Sequence, residues 1–410
     1  MSTRTPLDTR PTVRLLGTHG VPAAYGGFET AAEQIGYYLR DRGWRVVVYC
    51  QQPGSGQTHT DVWRGMERVH LYEEREGWLG TASFDLASIK HVLAHTGENG
   101  PIDVCLTFGY NTGVFNLAQR LRGIPNVINM DGMEWTRRRW GVVKQGILLA
   151  NERFAGAVGD VLVADHPVIA RYLSRHFGAR RVTTITYGGV PVHHASTQLV
   201  RDLGLEPGGY ANVICRPIPE NSLVEIVRGW SARHRGMPLV VLGNFTRDDD
   251  YHREVLDAAG DEVVFPGAIY DPATVQALRF HSALYLHGHT VGGTNPSLVE
   301  AMAAGSAVVA HDNHYNRWVV DAGARFFRTE HDLDDTLTAL LADPSERAAM
   351  GRASRDRFEA EFTWERIGSQ YEEALLRALR RHGHTLTLPS SSAEQHTQHV
   401  TTQAHGGVVA

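Results

Sequence analysis

The residues richest in usable chemistry run His287-Gly-His-Thr-Val-Gly-Gly-Thr-Asn-Pro-Ser-Leu-Val-Glu-Ala-Met-Ala-Ala-Gly305. The stretch before the glycines, Ala283–His287, reads as a strand, and Pro296–Ala304 reads as a helix. Gly292 and Gly293 turn the chain between them, and Pro296 occupies the first helical position, where a missing N–H loses no bond. A strand, a glycine turn and a helix start together cradle phosphate on free N–H groups. Glu300 lies about one turn inside, where a carboxylate can take the two hydroxyls of a ribose. A purely structural elbow needs neither so many small residues nor an inward carboxylate.

A cation belongs beside such a cradle. Cys215-Arg-Pro-Ile-Pro-Glu-Asn-Ser222 follows the strand-like Ala211–Cys215, and Arg216 is the best candidate in the chain. Its guanidinium is a fixed fork of donors that suits a diphosphate and stays charged at every working pH. Glu220 and Asn221 begin the next helix, so capping is the plain alternative to ligand contact.

Two further motifs follow strands. Gly17-Thr-His-Gly-Val-Pro-Ala-Ala-Tyr-Gly-Gly-Phe-Glu-Thr30 comes directly after the first strand. Gly26 and Gly27 are expected to turn the backbone tightly against a ligand, with Phe28 opening a helix. The loop is too long for a dinucleotide fingerprint and lacks GxGxxG. Val127-Ile-Asn-Met-Asp-Gly-Met-Glu-Trp-Thr-Arg-Arg-Arg-Trp140 brings Asp131 and Glu134. Asp131 suits a sugar hydroxyl or an attacking proton, against the alternative of an N-cap. Glu134 stays open between the two. Arg137, Arg138 and Arg139 between Trp135 and Trp140 could face an acceptor or an anionic membrane, at roughly 1 kcal/mol per cation. The plainer reading is a solvated helix face with its tryptophans partly in the core.

Two patterns are set aside. Asp248-Asp-Asp250 imitates a metal-binding DxD, but it falls at a helix start, where acids cap. The pairs His287/His289 and His311/His314 lack a third ligand of fitting spacing among twenty-two scattered histidines, so no metal is expected.

A chain of 410 residues with 42% hydrophobic and 21% charged content predicts two or three soluble globular domains. A net charge of −5 argues against nucleic-acid binding. Only Lys90 and Lys144 are lysines, which reads as coding bias toward arginine. Cys50, Cys105 and Cys215 build no disulfide framework and read as buried thiols. The N-terminus lacks a signal-like apolar core and no run approaches a membrane span of about 18 apolar residues, so a cytoplasmic protein is expected.

Strands and helices alternate. Val13–Gly17, Arg45–Cys50, Val69–Tyr72, Val104–Thr107, Val127–Asn129 and Val161–Ala164 read as strands, with helices at Thr30–Asp41, Leu86–His95 and Asn116–Leu121. Thr186–Ala195 reads as a connector, after which the alternation resumes with Ala211–Cys215, Ser222–His234, Leu239–Leu242, Val263–Phe265 and Ala307–Ala310. This predicts an α/β chain of two doubly wound halves facing a cleft, a helical tail over Ser345–Arg380, and disorder from His384.

Taken together, YGGFET, NMDGMEW and GGTNPSLVEAMAAG resemble GT-B fold glycosyltransferases of family 4, and more narrowly their bacterial rhamnosyltransferase-like branch. The resemblance runs from about Val13 to Tyr371. It implies a GT-B fold of two Rossmann-like domains. Residues 1–190 would form the acceptor-side domain and 191–362 the nucleotide-sugar domain, with a helix at 363–383 packing back on the first domain. It implies a nucleotide-sugar donor, a glycan or lipid-linked acceptor, retention of configuration and neither metal nor cofactor. Peripheral contact with the inner membrane surface is one option for the Arg137–Arg139 cluster.

By position the resemblance gives Arg216 to the donor diphosphate, Gly293, Thr294 and Asn295 to its distal phosphate, Glu300 to the ribose and Tyr270 to the nucleobase. Gly26, Gly27, Phe28, Glu220 and Asn221 are the further donor contacts, and Asp131, Arg216 and Glu300 the catalytic set. The chain departs from the broad family at Gly292, where a glutamate is usual, at Asn221, where a lysine is usual, and at Asp131, where a histidine is usual. Transfer of a hexosyl or 6-deoxyhexosyl group, rhamnosyl first, is the leading expectation. A GT-B sugar-nucleotide epimerase and a non-catalytic sugar-nucleotide sensor are the alternatives.

Overall fold

A computed structural model describes residues 10–23, 26–97, 103–137 and 140–386. The chain parts into two compact units, one of residues up to Ile185 together with those from Gly368 on, the other of Thr186–Ile367. These breaks fall a few residues from the expected 190/191 and 362/363.

The first unit follows the order β1 (Thr12–Leu16), α1 (Gly27–Asp41), β2 (Arg45–Pro53), β3 (His59–Trp63), β4 (Met66–Glu73), α2 (Gly77–His95), β5 (Asp103–Phe108), α3 (Asn116–Leu121), β6 (Asn126–Asn129), α4 (Val142–Val158), β7 (Val161–Ala164), α5 (Pro167–Phe177) and β8 (Val182–Thr184). Its strands lie in the order β3-β4-β2-β1-β5-β6-β7-β8, all pairs parallel except β3 with β4. Strands covered on both faces are apolar, which is why VLVA and the centre of RVVVYC are buried end to end; TVRLL is buried too, with its one charge, Arg14, 3.5 Å from Asp103.

β3 escaped the sequence reading because HTDVW is a half-exposed edge whose polar residues mask its period. It is joined to β4 by Arg64 and Gly65 at φ of 48° and 80°, the left-handed pair that a two-residue hairpin needs.

The second unit runs α6 (Thr197–Arg201), β9 (Ala211–Ile214), α7 (Leu223–Ser231), β10 (Leu239–Leu242), α8 (Asp250–Asp257), β11 (Val263–Val264), α9 (Pro272–Phe280), β12 (Leu284–His287), α10 (Pro296–Ala303), β13 (Val308–His311), α11 (His314–Val320), β14 (Arg325–Phe327), α12 (Glu330–Ala342) and α13 (Pro344–Glu361). Its parallel sheet has the order β11-β10-β9-β12-β13-β14. The expected helical tail is two helices, α13 and α14 (Trp364–Arg381), which divide at the boundary expected between residues 362 and 363. The break is a main-chain one: the Gly189 N–H donates to the Phe362 carbonyl at 2.8 Å, and Gly189 bridges Thr363.

From Gly368 onward α14 belongs to the first unit. There Trp44 Nε1 donates to Glu372 Oε1 at 2.9 Å, and Asn129 Nδ2 to the buried Tyr371 hydroxyl at 2.7 Å. No helix among the described residues is long and apolar enough to cross a membrane. The tail reading from residue 387 on lies outside the described residues.

Candidate functional site

In a doubly wound sheet, ligands bind beyond the carboxyl ends of the strands, where the strand order reverses. In the second unit the reversal lies between β9 and β12. The loop after β9 carries Arg216 to Asn221 and the loop after β12 carries His289 to Asn295, so the two strongest motifs share one crevice.

These loops are stitched together. Thr290 donates from its backbone N–H (2.9 Å) and its hydroxyl (3.0 Å) to the carbonyl of Glu220. A Cβ on Gly288 would stand 2.0 Å from the Asn221 carbonyl oxygen, so only glycine lets the loops meet. Gly288→Ala is therefore expected to lower unfolding free energy by about 1–3 kcal/mol, the usual range for forced overpacking. Chemical denaturation checks this; an unchanged midpoint would mean the loops part freely. Gly292 takes φ of 115°, a backbone that the glutamate usual at this position in the resembled family would strain.

Arg216 is exposed and makes no hydrogen bond or ion pair through its guanidinium among the described residues. Its loop is held instead by its neighbours. Asn221, 3% exposed, donates from Nδ2 to the Arg216 carbonyl at 2.8 Å. His252 accepts from the Thr246 N–H at Nδ1 (3.2 Å) and donates from Nε2 to the Pro217 carbonyl (2.9 Å). Asn221 thus neither caps a helix nor stands free, since Ser222, left-handed at φ 47°, is the residue at the α7 start. Glu220 contributes its carbonyl, not a cap. Burial pushes the adjacent Cys215 thiol up to about 12, so it is neutral and no nucleophile at ordinary pH.

Helix α10 docks by its first turn: Ser297 Oγ donates to the Ile214 carbonyl at 2.8 Å and lies 2.6 Å from the Tyr285 hydroxyl. Asn295 spends its side chain as the cap, accepting from the Ser297 N–H at 3.0 Å, and Thr294 is buried. One turn on, Glu300 Oε2 lies 2.7 Å from Arg279 Nη2, with side chains 38% and 6% exposed. Arg279 on α9 also reaches Ser297 Oγ at 3.3 Å. This arginine escaped the sequence reading. Beneath the loop, His287 is buried with both ring nitrogens unbonded and is stacked on His289 at 4.4 Å. Burial first, then the neighbouring His289 and His311, hold its pKa well below the ordinary value, so it is neutral. Tyr270 is 85% exposed after β11, on a loop tied to the end of β10 by Gly243 N–H to Gly267 O at 3.2 Å.

The acid run behaves as a cap. Asp249 accepts from the Tyr251 and His252 N–H groups at 2.9 and 3.1 Å. His331, Asp334 and Asp335 converge elsewhere in the unit, yet Asp334 is already paired with Arg233 and Arg235.

The other candidates lie in the first unit, and several correct the expectation. Neither Gly26 nor Gly27 is left-handed. Gly26 is extended at φ −168°, and the first loop turns at Gly17 and Gly20 instead. Phe28 packs its ring on Phe108 at 5.7 Å. The segment after Asp131 is a short 3-10 turn over Glu134–Thr136, not a solvated helix face. Glu134 is buried and pairs with Arg137 at 2.5 Å, and Trp135 Nε1 donates to Glu152 Oε2 at 2.9 Å. These three turn inward, while Arg138 and Arg139 lie outside the described residues.

Asp131 follows β6 with φ of 51°, uncommon for a residue with a side chain. Its N–H donates to Asn129 Oδ1 at 2.9 Å, and the Asn129 amide is anchored on Tyr371. A non-glycine held left-handed points to use of its side chain. Asp131→Gly relieves that backbone, so stability should hold within about 1 kcal/mol or rise, which chemical denaturation checks. A marked loss would mean that the Asp131 side chain holds the turn.

Residues 10–190 match a domain of unknown function (DUF1972), and residues 223–373 match the family described as Glycosyl transferase-like. No curated protein matches the sequence. Similar solved structures include sucrose-phosphate synthase from Thermosynechococcus elongatus, at 18% identity and TM-score 0.71, covering 89% of this chain and 98% of that one. HepE from Anabaena in complex with UDP matches at 14% identity and TM-score 0.67, over 89% and 99% of the two chains. The UDP-forming α,α-trehalose-phosphate synthase from Burkholderia xenovorans, solved with glucose-6-phosphate, matches at 12% identity and TM-score 0.70, again over 89% and 99%. At these identities the likeness is one of fold: the chain carries the GT-B fold, each of its units a doubly wound sheet.

Proposed function

We propose that this chain is a glycosyltransferase that moves a hexosyl or 6-deoxyhexosyl group, rhamnosyl first, from a nucleoside-diphosphate sugar to a glycan or lipid-linked acceptor. One observation carries the reading: the β9/β12 crevice pairs an uncompensated cation, Arg216, with a carboxylate on a docked helix, Glu300, which Arg279 holds. A diphosphate and a ribose call for those two groups. The family match over residues 223–373 and a fold shared with a UDP complex support it.

The difficult step is departure of the diphosphate as positive charge grows on the sugar. In this reading Arg216 and the N-terminus of α10 stabilise the leaving oxygens, charge preorganised where it develops. Glu300 orients the nucleoside through its ribose. The acceptor hydroxyl attacks from the leaving-group face and gives its proton to a phosphate oxygen, so configuration is retained without a protein nucleophile or a metal. Asp131 orients a sugar hydroxyl.

The test is thermal-shift binding with a panel of nucleoside diphosphates and their sugars, followed by donor turnover. Stabilisation by one base together with release of its diphosphate supports the reading. Binding without any turnover turns it into a sensor, and a sugar changed in place without transfer makes it an epimerase. Silence across the panel overturns it.

A further inference from the structure

The first unit has its own reversal of strand order, between β1 and β5, and a carboxyl lies at that point. Asp85 reaches it from α2: the Thr112 hydroxyl, on the loop after β5, donates to Asp85 Oδ2 at 2.7 Å. No other hydrogen bond to Asp85 exists among the described residues, which leaves Oδ1 as an open acceptor. Across the crevice, on the loop after β1, stands His19. Its backbone N–H donates to the buried Glu29 at 2.9 Å, and its Nδ1 lies 2.8 Å from Gln51 Oε1 in β2. Loops after adjacent strands and a helix side chain therefore converge where doubly wound sheets take ligands.

We infer that Asp85 binds a hydroxyl of a pyranose acceptor at the β1/β5 crevice of the first unit, with Thr112 aiming the carboxylate. The inference rests on the glycosyl-transfer reading and adds the acceptor contact to it. Hydroxyls of a sugar need acceptors fixed in direction, and a carboxylate with one oxygen pinned offers the other in a set orientation.

A second feature agrees. Burial raises the Asp85 pKa to about 6, with the Thr112 hydrogen bond and the His19 charge pulling the other way. A raised carboxyl pKa means the folded state prefers the protonated form, so the ionised group opposes folding above that pH. Beside the Thr112 hydroxyl, His19 is the one group that acts on the Asp85 carboxyl among the described residues, and no arginine compensates it. A carboxylate kept for structure would be paired instead.

Ligand-observed NMR with glucose, galactose, mannose and rhamnose tests this on the full chain. At least one pyranose should bind the native protein, and Asp85→Asn should weaken it at least tenfold, with Thr112→Ala weakening it less. Native affinity should fall as pH drops through about 6, and Asp85→Asn should abolish that dependence. Asp85→Asn should melt no lower than the native chain at pH 8, where a structural carboxylate would melt lower. Unchanged pyranose affinity in Asp85→Asn overturns the inference. So does a native protein that binds nucleoside diphosphates but no pyranose, which leaves the transferase reading standing. Binding of neither class sinks both.

Discussion

Arg216→Ala is expected to cut kcat/KM for donor consumption at least tenfold, a loss of about 1.4 kcal/mol of transition-state stabilisation or more. The magnitude follows from what the side chain lacks. It is exposed and paired with no carboxylate among the described residues, so its charge is available to a ligand. Removal leaves no orphaned buried partner, and its loop is held through the Arg216 carbonyl by Asn221 and through Pro217 by His252. Stability should therefore be unchanged, which separates chemistry from folding. Arg216→Lys keeps a point charge but loses the planar fork, so it should recover only part of the rate. Because the site is exposed, added salt should weaken donor binding in the native protein more than in Arg216→Ala. Near-normal turnover in Arg216→Ala would sink the donor assignment.

The alternation that announced two doubly wound sheets was legible because fully buried parallel strands are apolar without interruption, as in VLVA and LVVL. β3 and β8 were not: one is a polar edge and the other has three half-buried residues. Arg216 and Glu300 could be chosen because they follow strands, and position after a strand is a local property. The groups that hold them are not local. Arg279 lies on the helix before β12 and His252 on α8, and for Asp131 the anchor of its Asn129 partner, Tyr371, lies more than two hundred residues away. The glycine pair at 26–27 misled for a related reason. A glycine doublet advertises conformational freedom, but only the packing decides that Gly17 and Gly20 use it. The arginine cluster misled through composition: a cation beside tryptophans looks solvated until Glu134 is found beneath Arg137.

The pair of Glu300 with Arg279 yields the second large effect, and choosing the substitution matters. Arg279 is 6% exposed and its Nε already lacks a hydrogen-bond partner, so Glu300→Ala would strand a buried cation. Breaking a fully buried pair costs about 3–5 kcal/mol, and less here because Glu300 is 38% exposed. A loss of nucleotide binding in that variant would then mix unfolding with recognition. Glu300→Gln keeps an oxygen for Arg279 and the shape of the side chain while removing the charge. It should weaken the bound nucleoside diphosphate about tenfold, or about 1.4 kcal/mol, with little change in melting temperature. Arg279→Met removes the aiming group while leaving Glu300 partly solvated, and should weaken the same ligand severalfold without touching it. If Arg279 acts through Glu300, the double variant falls short of the summed single losses, because the second substitution removes something already gone. Isothermal titration of the four proteins with the diphosphate selected by thermal shift measures that shortfall. Strict additivity would mean that Arg279 serves the core alone and that Glu300 finds its ribose unaided.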